Sequence, residues 1–181
     1  MPFVTVQTEL TAAATDVCLA LLALVSAAYL YHFRRLNPWK MLLWCWIMSL
    51  LALGSLLGAF VHGLKLSSTI FNVLWFPLYL SLALAVALFV TIATYDGWGL
   101  PASRRTLPFV LVAGCVFTIV LQYTSNFLLF ILYEGMAMLF ALGIYLWLAI
   151  LRKLPGAALL TCGILLTIIA AIVQTSYSCL L

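Results

Sequence analysis

The chain has 181 residues, of which 67% are hydrophobic and 7% charged. A soluble domain is nearer half apolar and a quarter charged, so a wholly soluble fold is excluded and lipid must cover part of the surface. The formal net charge of +4 comes from eight Lys and Arg residues scattered in pairs, which argues against a nucleic-acid partner.

A spanning helix needs roughly 20 mostly apolar residues. Six such runs follow along the chain, at about 11–32, 40–63, 70–94, 106–124, 127–150 and 156–178. The expected fold is therefore all-α, a single transmembrane domain over 1–181 built as a six-helix bundle. Residues Met1 to Leu10 carry no Lys or Arg, so the first run lacks the basic start of a signal peptide and is expected to stay as a helix. Asn37-Pro38 ends that run, because the residue before proline avoids the α region. Pro77 falls inside the third run, where a kink is expected and neighbouring helices can satisfy the freed carbonyl. Gly97, Gly99 and Pro101 break the third run from the fourth. Arg152-Lys153-Leu154-Pro155-Gly156 makes the turn before the sixth.

The basic residues set the expected orientation. Arg34, Arg35 and Lys40, then Arg104 and Arg105, then Arg152 and Lys153 fall on alternate connections; only Lys65 falls on the others. By the positive-inside rule these three connections face the cytoplasm, with both termini outside. Trp39, Trp44, Trp46 and Trp98 lie toward the same inner side, where indoles favour the interface. Short loops and compactness point to a bacterial inner membrane. The five cysteines lie in no CxxC pair and read as small hydrophobes. Cys179 stands third from the end, outside a prenylation box.

Ionisable groups inside lipid are costly and are the first candidates for function. Asp16 lies about two turns into the first helix, with Ala20, Ala23 and Ala27 continuing its face. The bland reading is an acid that bonds a neighbouring helix. His62 ends the second helix, with Ser55 and Gly58 on its face; the bland reading is a satisfied interfacial histidine. Glu134 lies about two turns into the fifth helix beside Ala137, Met138 and Ala141; the bland reading is internal glue between helices. His32, at the inner end of the first helix, suits the helix dipole. Glu9 and Asp96 read as ordinary loop charges. Asn72, Gln122 and Gln174 share the outer half of the membrane with Asp16, His62 and Glu134, whereas the inner half shows no comparable set. An outward-facing pocket lined by Ser55, Asn72, Gln122 and Gln174 is expected. In it His62 could act as a metal ligand, with Asp16 and Glu134 as catalytic carboxylates. One histidine and two carboxylates could hold zinc with an open fourth position, or serve a proton-linked binding site.

The stretch from Thr11-Ala12-Ala13-Ala14-Thr15-Asp16 through Gly58-Ala59-Phe60-Val61-His62-Gly63 to Leu74-Trp75 resembles a family of uncharacterised bacterial membrane proteins. That family is distantly similar to the membrane hydrolase superfamily of alkaline ceramidases and adiponectin-type receptors. The resemblance implies a seven-helix relative with a zinc site, in which His62 matches the first ligand. It departs from the superfamily in two places. Gly58 stands one turn before His62, where a serine is implied, and no histidine follows His62 to supply the HxxxH pair of the last helix.

Three functions remain in play. The first is a non-enzymatic accessory or assembly subunit of a membrane complex, with other membrane subunits or a second copy as partner. The second is a metal-dependent, hydrolase-like protein acting on lipids. The third is a small transporter or a protein binding a lipid or small apolar ligand. Convergence of Asp16, His62 and Glu134 in one cavity would favour the hydrolase. Separate, individually satisfied groups would favour the subunit.

Overall fold

The computed structural model describes residues 4, 6–124 and 127–178, and is all-helical. Six helices follow in chain order: α1 (Gln7–His32), α2 (Pro38–Gly63), α3 (Ser68–Trp98), α4 (Leu100–Thr124), α5 (Phe127–Ile150) and α6 (Ala157–Ser178). The first five are long and apolar enough to cross a membrane. In α6 the apolar part runs from Ala157 to Val173.

Local chemistry sets the ends. Asn37 caps α2 by accepting a hydrogen bond from the Lys40 backbone N–H, and Pro38 fills the first helical position. Ser67 caps α3 through the Ile70 N–H. At 31 residues α3 is the longest helix, and it continues through Pro77. Only Gly99 separates it from α4; its φ of 84° is a conformation that favours glycine. The sequence reading began the fourth helix near 106, but α4 starts at Leu100. Pro101 is tolerated there because first-turn N–H groups need no partner inside the helix. Arg104 and Arg105 therefore sit on a helix, not in a loop. At the end of α5 the Lys153 N–H bonds Leu148 O and the Arg152 N–H bonds Ala149 O, a Schellman closure with Arg152 at φ 52°.

Helix α3 is the central strut. It packs against α2, α4 and α5, whereas α1 packs on α2 and α6 packs on α5 among the described residues. Two apolar clusters flank it. Leu88 and Ile92 join Leu43 and Ile47 of α2 on one side. Ala93 joins Ala141, Tyr145, Leu148 and Ile164 on the other, and Phe89 packs against both clusters. Small residues make the strut narrow: Ala83, Ala85, Ala87 and Ala93 are buried. Because α2 touches neither α5 nor α6, a cleft opens between them with α3 as its floor.

Candidate functional site

The polar groups expected in one outer layer fall in three separate places. The first lies between α1 and α2. His62 Nδ1 stands 2.6 Å from Glu9 Oε2, and the His62 ring meets Trp75 of α3 edge-on at 6.4 Å. Asp16 lies one turn deeper, over Gly58, and within electrostatic reach of His62. Ala20 and Ala23 are buried along the same face of α1, and Ala27 O lies 3.6 Å from Cys45 Sγ, so the small-residue stripe read from the sequence is the α1–α2 contact. Ser55 is buried in the packed face of α2. Glu9 is not a loop charge: it is the partner of His62 and lies in the first turn of α1. End-matching could have found it, since antiparallel neighbours bring the start of α1 to the end of α2.

The second place is a shallow groove formed by the start of α3 and the end of α4, lined by Asn72, Gln122, Ser68 and Thr69. The third is the cleft between α2 and α6. Its volume is about 350 Å³, and its walls are Trp44, Met48, Phe89, Phe130, Leu160 and other apolar side chains. Glu134 of α5 and Thr167 of α6 are the polar side chains in that lining among the described residues, and both also line a smaller cavity between α5 and α6. Thr167 Oγ1 already donates to Gly163 O. The Glu134 carboxyl has no hydrogen-bond or ion-pair partner among the described residues. The side chain of Gln174 lies outside the described residues.

Helix adjacency explains why these groups stay apart. Asp16 rides on α1, which packs on α2, whereas Glu134 rides on α5, which packs on α3 and α6. Among the described residues no group of three or more His, Cys, Asp or Glu side chains is arranged to hold a metal ion. The zinc site implied by the resemblance therefore does not fit: His62 has one carboxylate against Nδ1, and the HxxxH pair is missing.

The opposite, basic end of the bundle corrects the expectation that the inner half has no polar set. Asp96 is not a loop charge. It lies in the last turn of α3 with its side chain 3% exposed, and it accepts from Lys40 Nζ at 2.6 Å and from the buried Tyr145 hydroxyl at 3.1 Å. Beside it Asn37 Nδ2 donates to the Tyr95 hydroxyl at 2.8 Å, and Trp39 Nε1 donates to Ser103 Oγ at 2.9 Å. These bonds tie α2, α3, α4 and α5 together. Three cations lie over aromatic rings at this end: Arg34 over Tyr31, Arg104 over Trp39 and Lys153 over Trp147. The exposed His32 ring lies edge-on to Phe33.

A model described as a family of unknown function, DUF6962, matches residues 11–180. The chain belongs to that family. No curated protein and no solved structure matches it. For this DUF6962 member the site chemistry must therefore be read from its own side chains. They are two inter-helix clusters with internal partners, one at each end, and one apolar cleft with an unpartnered carboxyl.

Proposed function

We propose that the chain is a non-catalytic subunit of a bacterial inner-membrane assembly, with both termini on the outer side. The observation that carries this reading is the separation of the polar groups. Glu9–His62 joins α1 to α2, and Lys40–Asp96–Tyr145 joins α2, α3 and α5. Each acts between helices of this chain, and Glu134 on α5 stands apart from His62, Glu9 and Asp16 on α1 and α2. General acid–base or metal-assisted hydrolysis needs such groups to converge on one reacting atom. Internal contacts of this kind fix helix order, which is what a structural subunit requires.

The open side of the bundle supports the same reading. Helix α6 rests on α5, and its Leu159, Leu166, Ile169 and Ile172 face outward. So do Leu21, Leu22 and Val25 of α1. These are the faces that lipid or a partner helix would cover. Polymer extraction of native membranes without detergent, followed by mass measurement, tests the proposal. A discrete particle heavier than the monomer, of constant stoichiometry, is expected. A monomer in lipid alone would refute the subunit reading.

A further inference from the structure

In the cleft between α2 and α6 the Glu134 carboxyl stands in largely apolar walls with no hydrogen-bond or ion-pair partner among the described residues. We infer that this cleft is a binding site for a small apolar organic cation, whose ammonium pairs with Glu134 while its apolar body lies against α2, α3 and α6. This goes beyond the subunit reading and does not depend on it.

Size, lining and charge all bear on the inference. A volume of about 350 Å³ falls within the ~300–1,000 Å³ of small-molecule sites. The cleft runs from Trp44 and Leu159 near the basic end to Phe130, Glu134 and Thr167. Along α6 that is eight residues, about 12 Å at the ~1.5 Å rise of a helix. A whole transmembrane helix is wider than such a space and far longer. The walls are apolar except at one end, so a ligand must be apolar along most of its length.

The charge of the ligand follows from what surrounds it. No Lys, Arg or His lines the cleft. Among the described residues no Lys, Arg or His pairs with Glu134. A carboxyl in apolar walls costs free energy unless a donor or a positive charge meets it. Three aromatic rings, Trp44, Phe89 and Phe130, line the same cleft, and rings also attract a cation. Trp44 and Phe89 already stand edge-to-face at 5.9 Å. Met48 and Met138 add adaptable thioethers, which let one cleft accept bodies of differing shape. A fatty acid or another anion would oppose Glu134. A neutral alcohol would gain a hydrogen bond but no charge pairing. An amine both satisfies the carboxyl and forms the stronger charge-assisted bond.

Gly163 supplies a second handle. It lines the cleft from α6, and a Cβ added there meets nothing within 4 Å. The open space at its Cβ makes this the position for a bulky phenylalanine directed at the cleft, and replacing a mid-helix glycine favours the helix.

The test is equilibrium dialysis of protein in lipid nanodiscs against 4-phenylbutylamine and its uncharged counterpart 4-phenylbutanol. Wild type, Glu134→Gln and Gly163→Phe are compared, with empty nanodiscs subtracted. Thermal unfolding of both variants checks that they are folded, and two separate variants guard against either failing alone. The expected result is saturable amine binding to wild type, about tenfold tighter than the alcohol, which corresponds to one charge-assisted contact. In Glu134→Gln the amine should lose that preference, and Gly163→Phe should lose saturable binding of both probes. Equal binding of amine and alcohol to wild type would overturn the inference, as would amine binding unchanged in either folded variant. If neither probe binds and Gly163→Phe instead lowers the mass of the native particle, a partner's side chains cover the cleft. That outcome overturns the ligand inference while leaving the subunit reading standing.

Discussion

Asp16 of α1 is seated directly on Gly58 of α2. A Cβ placed on Gly58 would come within 2.6 Å of Asp16 Oδ2 and 3.2 Å of its Cγ. The missing side chain is therefore what admits the carboxyl to the α1–α2 contact. The contact continues to Gly63, where an added Cβ would stand 3.3 Å from Ala13 Cβ.

Gly58→Ala should destabilise the bundle despite the better helix propensity of alanine. Overpacking a tight contact costs about 1–3 kcal/mol, against a propensity gain of about 1. The net loss is expected near the low end, because the clashing atom is the tip of a side chain that can turn away. The background reverses the sign. In Asp16→Ala the same glycine substitution should be neutral or stabilising. Unfolding of the four proteins of this double-mutant cycle, in one detergent, measures the coupling. Additive effects would mean that the Asp16 side chain does not occupy the space over Gly58.

The basic end should respond differently. Asp96 is 3% exposed and Lys40 18%, so this is a buried ion pair, joined by a tyrosine hydroxyl from α5. Removing one partner leaves the other charged and unmatched, which costs about 3–5 kcal/mol. Asp96→Ala should be the most damaging single change, since it strands both Lys40 and the Tyr145 hydroxyl. Tyr145→Phe should cost about 2 kcal/mol, in the range for a hydrogen bond to a charged group. Lys40→Met combined with Asp96→Leu should recover much of the loss seen in either single variant, because the desolvation cost of both charges is removed together. Chemical unfolding of the set decides the matter. A double variant as unstable as Asp96→Ala would show that the network does more than pair two charges.

The architecture was legible because its cause is composition. Runs of apolar residues broken at Asn37-Pro38, around Lys65, at Gly99, between Thr124 and Phe127 and at Arg152–Gly156 define six helices wherever they pack. The fourth apolar run begins near 106 whereas α4 begins at Leu100, because Pro101 and the polar residues after it fit the first turns of a helix. Arg104 and Arg105 are tolerated on a helix that emerges at an interface, where Trp39 takes Ser103 as acceptor and Arg104 over its ring. That Asp16, His62 and Glu134 lie on apolar helices was legible too. Rotation and adjacency were not. Whether Glu134 meets His62 depends on which helix lies beside α5, and no spacing within one helix encodes that. Glu9 and Asp96 were passed over because each stands near a helix end, where solvated charges are common. Their partners, His62 and Lys40, come from other helices.

A three-helix approach on the far side of α3 gives another test. Tyr133 of α5 donates to Ala83 O of α3 at 3.0 Å, and its ring stacks on Phe117 of α4 with centroids 4.4 Å apart. Gly114 of α4 makes room for this bond: an added Cβ would stand 3.3 Å from the Tyr133 hydroxyl and 3.4 Å from Ala83 O. Tyr133→Phe should cost about 1 kcal/mol, the usual net value of one hydrogen bond. Gly114→Val should cost more, about 1–3 kcal/mol, because a backbone carbonyl cannot turn aside as a side-chain tip can. Thermal unfolding ranks the two. A valine variant as stable as wild type would mean that α4 can move away from α3 freely.

The orientation can be settled by labelling. Seven of the eight Lys and Arg residues stand at the end where α1 meets α2, α3 meets α4 and α5 meets α6; Lys65 alone stands at the other. Lys and Arg near helix ends resist translocation, so the end that carries them is expected to face the cytoplasm. The cations over Tyr31, Trp39 and Trp147 fit the headgroup level of that same face, where long basic side chains lie along aromatic rings with their charge in water. In a cysteine-free background, Lys65→Cys and Tyr123→Cys should react with a membrane-impermeant maleimide on intact cells. Arg35→Cys and Lys153→Cys should react only after permeabilisation. The reverse pattern would turn the molecule over and place the Glu9–His62 end in the cytoplasm. The inter-helix contacts would be unaffected, since they are indifferent to which side is which. Replacing Arg34, Arg35, Arg152 and Lys153 by glutamine while introducing Lys and Arg around Lys65 should move the labelling toward that reverse pattern, because the bias is set by where the cations lie and not by the fold.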